Sequence, residues 1–297
     1  MPRAVVSLLT AEQEFQQLQA ADARAAAARL GLEVEVEFAE GHAVVQIQQL
    51  FRHVHAPEGT RPAAIIVEPT TGEGLERVAR NAARAGIGWI LVNTRVAYID
   101  ELRAAHPDLP IAMIGADNRE VGHIQGRQCR SLLPGGGKVL CVQGPADSTV
   151  SVDRLAGLKE ALGPGFEVRV LNGDWTEASG EKAVVSWLRL RTADTFRPDI
   201  VAGQNDSMAV GARKALREHH PDWGSLSFVG CDGLPDGGQR MVAKGDLAAT
   251  VVTPSNTGPA LEMVFRWLRT GQVPSREVLL PPRSHPPEGA VRARGSR

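Results

Sequence analysis

Two short runs of this 297-residue chain carry side chains able to do chemistry. Ala202-Gly203-Gln204-Asn205-Asp206-Ser207-Met208-Ala209-Val210-Gly211 and Val229-Gly230-Cys231-Asp232-Gly233 each begin apolar and end in hydrogen-bonding residues. A helical pattern follows the first run at once. In an open α/β sheet, ligands are held where the carboxyl ends of parallel strands face the amino ends of helices. Asn205, Asp206 and Asp232 are too costly to bury bare, so each is expected to be paired, to cap a helix or loop, or to bind something.

Other chemistry finds little support. No G-x-G-x-x-G follows a strand, and Gly135-Gly136-Gly137 precedes one, which makes it a turn. No G-x-x-x-x-G-K-[ST] and no G-x-S-x-G elbow occurs. The eight histidines are scattered, and the pairs His53/His55 and His219/His220 do not converge two imidazoles, so surface histidines and no metal are expected. Cys129, Cys141 and Cys231 lack metal-ligand spacing and read as buried free thiols. No pair of carboxylates declares an acid/base assignment, so neither catalysis nor a cofactor is expected.

Composition narrows the partners. A formal net charge of -1, from 33 basic and 34 acidic side chains, gives no footprint for nucleic acid or an anionic membrane. No apolar run approaches the ~18–20 residues of a membrane span, so no membrane insertion is expected. The amino terminus lacks the long apolar core and small-residue cleavage site of a signal peptide. The chain therefore reads as cytoplasmic, or as periplasmic if a leader was removed.

The elements that position the two runs alternate along the chain. Strands are expected at 4–9, 33–38, 63–67 and 88–92, with helices at 13–30, 44–54 and 73–85. Val34, Val36 and Phe38 alternate with Glu33, Glu35 and Glu37, the period of a half-exposed strand. Phe15, Leu18, Ala25 and Leu30 are expected on the inner side of the first helix. A second series has helices at 120–133, 152–162, 179–190, 207–217, 238–244 and 257–269. Its strands are at 138–143, 167–171, 199–202, 226–231, 247–252 and 277–280. Such alternation predicts an α/β fold with parallel sheets covered by helices on both faces. There are too many strands for one comfortable sheet, so two lobes are expected. Residues 281–297, rich in proline and ending with Arg292, Arg294 and Arg297, are expected to form a loose tail.

At this point the residues resemble a known family. Gln204-Asn205-Asp206-Ser207-Met208-Ala209-Val210-Gly211-Ala212 looks like the signature of the type I periplasmic sugar-binding proteins, the ribose- and galactose-binding group. The effector domains of lac-repressor-type regulators are similar. Gly230-Cys231-Asp232-Gly233-Leu234-Pro235-Asp236 and Gly245-Asp246-Leu247-Ala248-Ala249-Thr250-Val251 match the family's next two landmarks in order and spacing. Gly115-Ala116-Asp117-Asn118, with Gly122 and Gly126, resembles the segment where the chain first crosses between lobes.

The resemblance implies two Rossmann-like lobes joined by three crossover hinge segments near 116–118, 252–254 and 273–275, with a ligand held between them. The amino-terminal lobe would span 1–116 plus 254–273, the other 117–253 plus 274–282, with 283–297 a flexible tail. Carried over residue by residue, Asn205 and Asp232 hydrogen-bond sugar hydroxyls, while Trp175 and Phe15 pack on the sugar ring. Asp117 belongs to the first crossover. The chain also departs from the ribose-binding pattern. Asn93, before Arg95, stands where aspartate is expected; Glu68 replaces an asparagine; Thr253 replaces a glutamine; Val152 replaces an arginine, with Arg154 two residues on. Losing arginine forks while gaining carboxylate acceptors weakens ribose recognition. The expected ligand is a sugar, polyol, inositol or amino sugar that presents donors. The implied function is a solute-binding protein with no enzyme activity, serving ABC-type uptake or signalling through a permease or a sensor protein. The alternative is a cytoplasmic ligand sensor acting through a regulatory partner.

Overall fold

Short apolar runs alternating with helices build two separate sheets, each buried on both faces. The computed structural model describes residues 1–190, 193, 195–223 and 226–292. The chain divides into two compact units, one of residues 1–116 and 255–280, the other of residues 117–254 and 281–297.

In the first unit, β1 (Arg3–Leu8), β2 (Glu33–Phe38), β3 (Ala64–Val67), β4 (Gly88–Val92), β5 (Ile111–Ala116) and β11 (Glu277–Leu280) form one sheet in the order β11-β5-β4-β3-β1-β2. Every pairing in it is parallel. Side chains alternate across a strand, so Val5, Ile65, Trp89 and Ile111 face one way and Val6, Ile66, Ile90 and Ile114 the other. The first set packs on α2 (Ala43–Val54), α3 (Glu76–Arg84) and α4 (Ile99–Ala105). The second packs on α1 (Glu14–Leu30) and α10 (Thr257–Thr270). β2 is an edge strand, and its three glutamates keep that edge charged, which discourages pairing with other chains.

The inner face of α1 differs from expectation. Gln16, Gln19, Ala20, Ala23, Ala26 and Ala27 are buried, while Ala25 is exposed and Phe15, Leu18 and Leu30 are only half-buried. Alanines let the helix lie close to α10 and the sheet. The two glutamines are tolerated because they satisfy backbone groups: Gln16 Oε1 accepts from the Leu9 amide at 3.0 Å, and Gln19 Oε1 from the Asn256 amide at 2.7 Å.

The second unit contains β6 (Gly137–Gln143), β7 (Phe166–Asn172), β8 (Ile200–Gly203), β9 (Ser227–Asp232), β10 (Ala249–Val252) and β12 (Arg283–His285). Their order is β12-β10-β9-β8-β6-β7, parallel except for the antiparallel β12. Helices α7 (Glu177–Leu188) and α8 (Asp206–His219) cover one face. Helices α5 (Asn118–Leu132) and α6 (Thr149–Leu162) cover the other, and the short α9 (Arg240–Lys244) precedes β10. The α5–α6 pair packs backbone to backbone: a Cβ at Gly122 would overlap the Arg154 carbonyl, and one at Gly157 would overlap that of Arg119.

Two boundaries fall elsewhere than expected. Residues 274–280 belong to the first unit, because β11 pairs with β5 while Val278 and Leu280 pack into its core. Arg103 Nη2 donating to the Pro274 carbonyl at 2.8 Å, and an Arg276–Asp100 ion pair, fix the segment there. The third crossing thus follows Leu280. Nor are residues 283–292 loose. β12 extends the sheet, Glu288 pairs with Arg127 at 2.9 Å, and Val291 is 1% exposed in the core beneath α5. Arg294 and Arg297 lie outside the described residues. Ending the chain at Pro282 removes Val291 from that core, and is expected to cost the second unit about 2 kcal/mol, read as a lower melting temperature.

All three cysteines are buried free thiols. Burial pushes the Cys141 thiol up to about 12 and raises those of Cys129 and Cys231 as well. No described helix is long and apolar enough to cross a membrane.

Candidate functional site

Strand order locates the candidate surfaces before any side chain is considered. In the first unit the chain winds outward from β1 to β2 and then returns to place β3 on the other side of β1. In the second, β7 and β8 flank β6 in the same way. Ligands of open α/β sheets bind outside the carboxyl ends of the strands at such switch points.

At that end of the first unit, Glu68 follows β3 and is only 7% exposed. Gln16 Nε2 donates to its Oε2 at 3.0 Å, and Asn93 Nδ2 to its Oε1 at 2.9 Å. Gln46 Nε2 donates to its backbone carbonyl at 2.8 Å. Asn93 Oδ1 in turn accepts from Asn256 Nδ2. The Gln16 and Asn93 amides thus help to fix the orientation of the strand-end carboxylate. Phe15 stands beside Gln16, half-buried, and belongs to neither core cluster of its unit. Arg95 is exposed, with its Nε donating to Glu277 Oε1 at 2.7 Å. Glu12 and Glu14 are exposed.

The second unit gathers the larger set. Arg154, on α6, is buried; its Nε donates to Asn118 Oδ1 at 2.9 Å and its Nη1 to the Gln204 carbonyl. The same guanidinium lies 3.5 Å from Asp232 Oδ1 and 5.8 Å from the Trp175 ring, a cation–π distance. Trp175 leans on the core under α7 and α8 and fills the space above Gly144, where a Cβ would overlap the indole. Asn205 caps α8, its Oδ1 accepting the Met208 amide at 2.8 Å, while its Nδ2 donates to the Trp175 carbonyl at 2.8 Å. The capping role weighed from sequence is therefore present, and it ties the cap to the aromatic loop. Thr253 is buried beside Asp232, whose carbonyl accepts the Thr253 amide at 3.1 Å; among the described residues its hydroxyl has no hydrogen-bond partner. Asp117 caps α5, accepting the Glu120 amide at 3.0 Å.

The backbone singles out three of these residues. Among the described residues, the non-glycine positions with left-handed φ are Glu40, Asn93, Trp175 and Asp232, at 52°, 62°, 73° and 90°. Asparagine and aspartate tolerate that region, but a bulky residue such as tryptophan is an outlier there. Such conformations cost on the order of 1–3 kcal/mol each and persist only where the surroundings over-determine them. Asn93 follows β4, Trp175 follows β7 and Asp232 ends β9.

Sequence reasoning missed Gln16, Gln204 and Asn118 as parts of these arrangements. The signal for Gln204 was present: a polar residue directly after the apolar run of β8. His53, expected at the surface, is buried. Its Nε2 lies 3.2 Å from Glu37 Oε2, and its Nδ1 is 3.4 Å from Arg3 Nη2. The His53 imidazole beside it, with Arg52 and Arg3 adding, holds the Glu37 carboxyl below its ordinary range. Glu35, Glu37 and His53 bring possible metal-ligand atoms within 4.8 Å of one another, but the guanidinium groups of Arg3 and Arg52 already pair with the two carboxylates.

The chain is similar to known proteins. A family model described as a periplasmic binding protein domain matches residues 4–257. The galactofuranose-binding protein of Escherichia coli (strain K12) is 26% identical over 231 residues, covering 73% of this chain and 67% of the relative. The xylitol-binding protein of Mycolicibacterium smegmatis is 28% identical over 192 residues, covering 63% of this chain and 50% of the relative. Among solved structures, the Caulobacter myo-inositol binding protein bound to myo-inositol is similar with a TM-score of 0.80 at 23% identity, covering 96% of this chain and 94% of that chain. At that identity the likeness concerns the fold.

Proposed function

Because the chain belongs to the periplasmic binding protein domain family, we propose that it is a solute-binding protein for a monosaccharide, polyol or related molecule, and that it delivers this ligand to an ABC-type importer on the periplasmic side. The proposal is for binding without turnover. Its main support is the placing of three strained, non-glycine residues, Asn93, Trp175 and Asp232, at strand ends where ligands of α/β sheets bind. Relatives named for galactofuranose and xylitol support the same ligand class.

The proposed contacts suit a hydroxyl-rich molecule. In the first unit Glu68 accepts from hydroxyls and Asn93 donates; in the second, Asp232 accepts and Arg154 donates. Each unit also offers a ring for C–H faces, Phe15 in the first and Trp175 in the second. Asn205 contributes largely by holding the Trp175 carbonyl, Thr253 offers a hydroxyl beside Asp232, and Arg95 and Asp117 complete the set. With Glu68 in place of a neutral amide and one arginine position taken by Val152, ligands that present donors are favoured over ribose: polyols, inositols or amino sugars.

A thermal-shift panel of D-ribose, xylitol, myo-inositol, D-galactose and glucosamine tests this. A ligand at a hundred times its Kd stabilises the folded state by about 2.7 kcal/mol. A donor-rich member of the panel is expected to give such a shift. Tight binding of ribose alone contradicts the ligand class, and no shift from any member contradicts the reading itself.

A further inference from the structure

We propose that Asp206 is a positioning residue that sets the backbone of Asp232 for ligand binding, an assignment that rests on the reading of Asp232 as a ligand contact. Asp206 is the first residue of α8 and is 6% exposed. A bare buried carboxylate is costly, but here the helix amino terminus favours its charge and both oxygens are used. Oδ2 accepts the Gly233 amide at 2.8 Å, and Oδ1 accepts the hydroxyl of the fully buried Thr250 at 2.6 Å. A Cβ on either Gly230 or Gly238 would overlap the same carboxylate. The end of β9, the turn after it and β10 therefore all close on one side chain.

Asp232 lies between Gly230 and Gly233, both in contact with that side chain. Its φ of 90° is followed by 57° at Gly233, two left-handed residues in succession. The Asp206–Gly233 bond pins the second of them directly. The Asp232 carbonyl accepts the Thr253 amide at 3.1 Å and the Gly233 carbonyl accepts Gln239 Nε2 at 2.7 Å, so the peptide planes on either side of Gly233 are fixed. The carboxylate of Asp232 is thereby directed to 3.5 Å from Arg154 Nη1. Asp206 shapes the loop, and Asp232 meets the ligand.

Geometry, rather than charge, is what this role requires. An asparagine at 206 can still accept from the Gly233 amide through its carbonyl oxygen, while its NH2 donates to the Thr250 hydroxyl, which is able to accept. An alanine loses both bonds and leaves the Gly233 amide without its partner. Asp206→Ala and Asp206→Asn therefore separate the two explanations.

The test measures calorimetric affinity for xylitol, myo-inositol and D-galactose, together with hydrogen exchange at the Gly233 amide, which needs no ligand. In Asp206→Ala, exchange at Gly233 is expected to quicken and affinity to fall, each by about tenfold or more, as both bonds to the buried carboxylate are lost. Asp206→Asn is expected to restore both to within about threefold of the wild type, since asparagine keeps a bond to each partner. Gly238→Ala crowds the carboxylate and is expected to act like Asp206→Ala. In an Asp232→Asn background, Asp206→Ala is expected to change affinity by less than about twofold, because coupled sites do not add. A loss of general stability would instead weaken binding in both backgrounds. Unchanged affinity in Asp206→Ala, or equal losses in the alanine and asparagine variants, overturns the proposal. If the wild type takes none of the three ligands, the reading of Asp232 fails first and the proposal with it.

Discussion

Leucine at position 157 is expected to destabilise the second unit by at least about 3 kcal/mol, the upper range for overpacking a well-filled core. Gly157 faces Arg119 across the α5–α6 contact, where even a Cβ overlaps a backbone carbonyl and comes within 3.0 Å of the His123 amide. Gly122 makes the reciprocal approach to Arg154, and Gly126 approaches Leu158 and Ala161. Three glycines thus interlock two helix backbones, and no side-chain rotamer can relieve the clash. The pair would have to separate, taking Leu158, Leu162, Cys129 and Leu132 out of their shared core. Arg154 rides on the same helix, so the variant is expected to lose ligand binding along with stability. Chemical denaturation followed by circular dichroism checks the first effect. A midpoint within error of the wild type contradicts the packing described.

Arg154→Met carries the second large effect. The substitution keeps the aliphatic stem but removes the guanidinium, taking away the donor to Asn118 Oδ1 and to the Gln204 carbonyl and the cation 3.5 Å from Asp232. Breaking a buried charge pair by removing one partner typically costs about 3–5 kcal/mol. The 3.5 Å separation and the 16% exposure of the Asp232 side chain argue for the lower end, about 3 kcal/mol. The same change removes the cation beside Trp175, so the aromatic wall loosens too. Denaturation and titration of this variant are expected to show both losses. Stability unchanged alongside abolished binding would mean that Arg154 meets the ligand without holding the site together.

Much of this architecture was legible in the chain. Strands such as β1, β3, β8 and β9 announce themselves as apolar runs followed by helical patterns, and the Gln204–Gly211 and Gly230–Asp236 landmarks point to the family. Less legible were elements whose signal depends on tertiary partners. The buried face of α1 was misplaced because alanine and glutamine mark no hydrophobic stripe; Gln16 and Gln19 go inside only because Leu9, Glu68 and Asn256 await them. β5 and α4 went unread between the two series, although Ile111 to Ile114 is a fully buried run. β12 is short and contains Arg283 and His285, so nothing local marks it as a strand; the exposed edge of β10 induces it. His53 read as a surface residue because its partners, Glu37 and Arg3, lie on other elements.

The site divides along the same line. The residue types of Asn205 and Asp232 at strand ends could be read directly, but their division of labour could not. Asn205 spends its side chain on the α8 cap and the Trp175 carbonyl, whereas the neighbouring Asp206 turns inward to hold the Gly233 loop. Left-handed backbone at Trp175 and Asp232 leaves no mark in composition, since neither residue type signals it as glycine would.

The measurement that bears most directly on the central claim is an isothermal titration of the wild type and Asp232→Ala with the polyol, inositol and sugar panel. The wild type is expected to bind at least one donor-rich member saturably, and Asp232→Ala to show no measurable heat while keeping a cooperative melt. Equal binding by both proteins, or none by the wild type, would contradict a ligand site built on the end of β9.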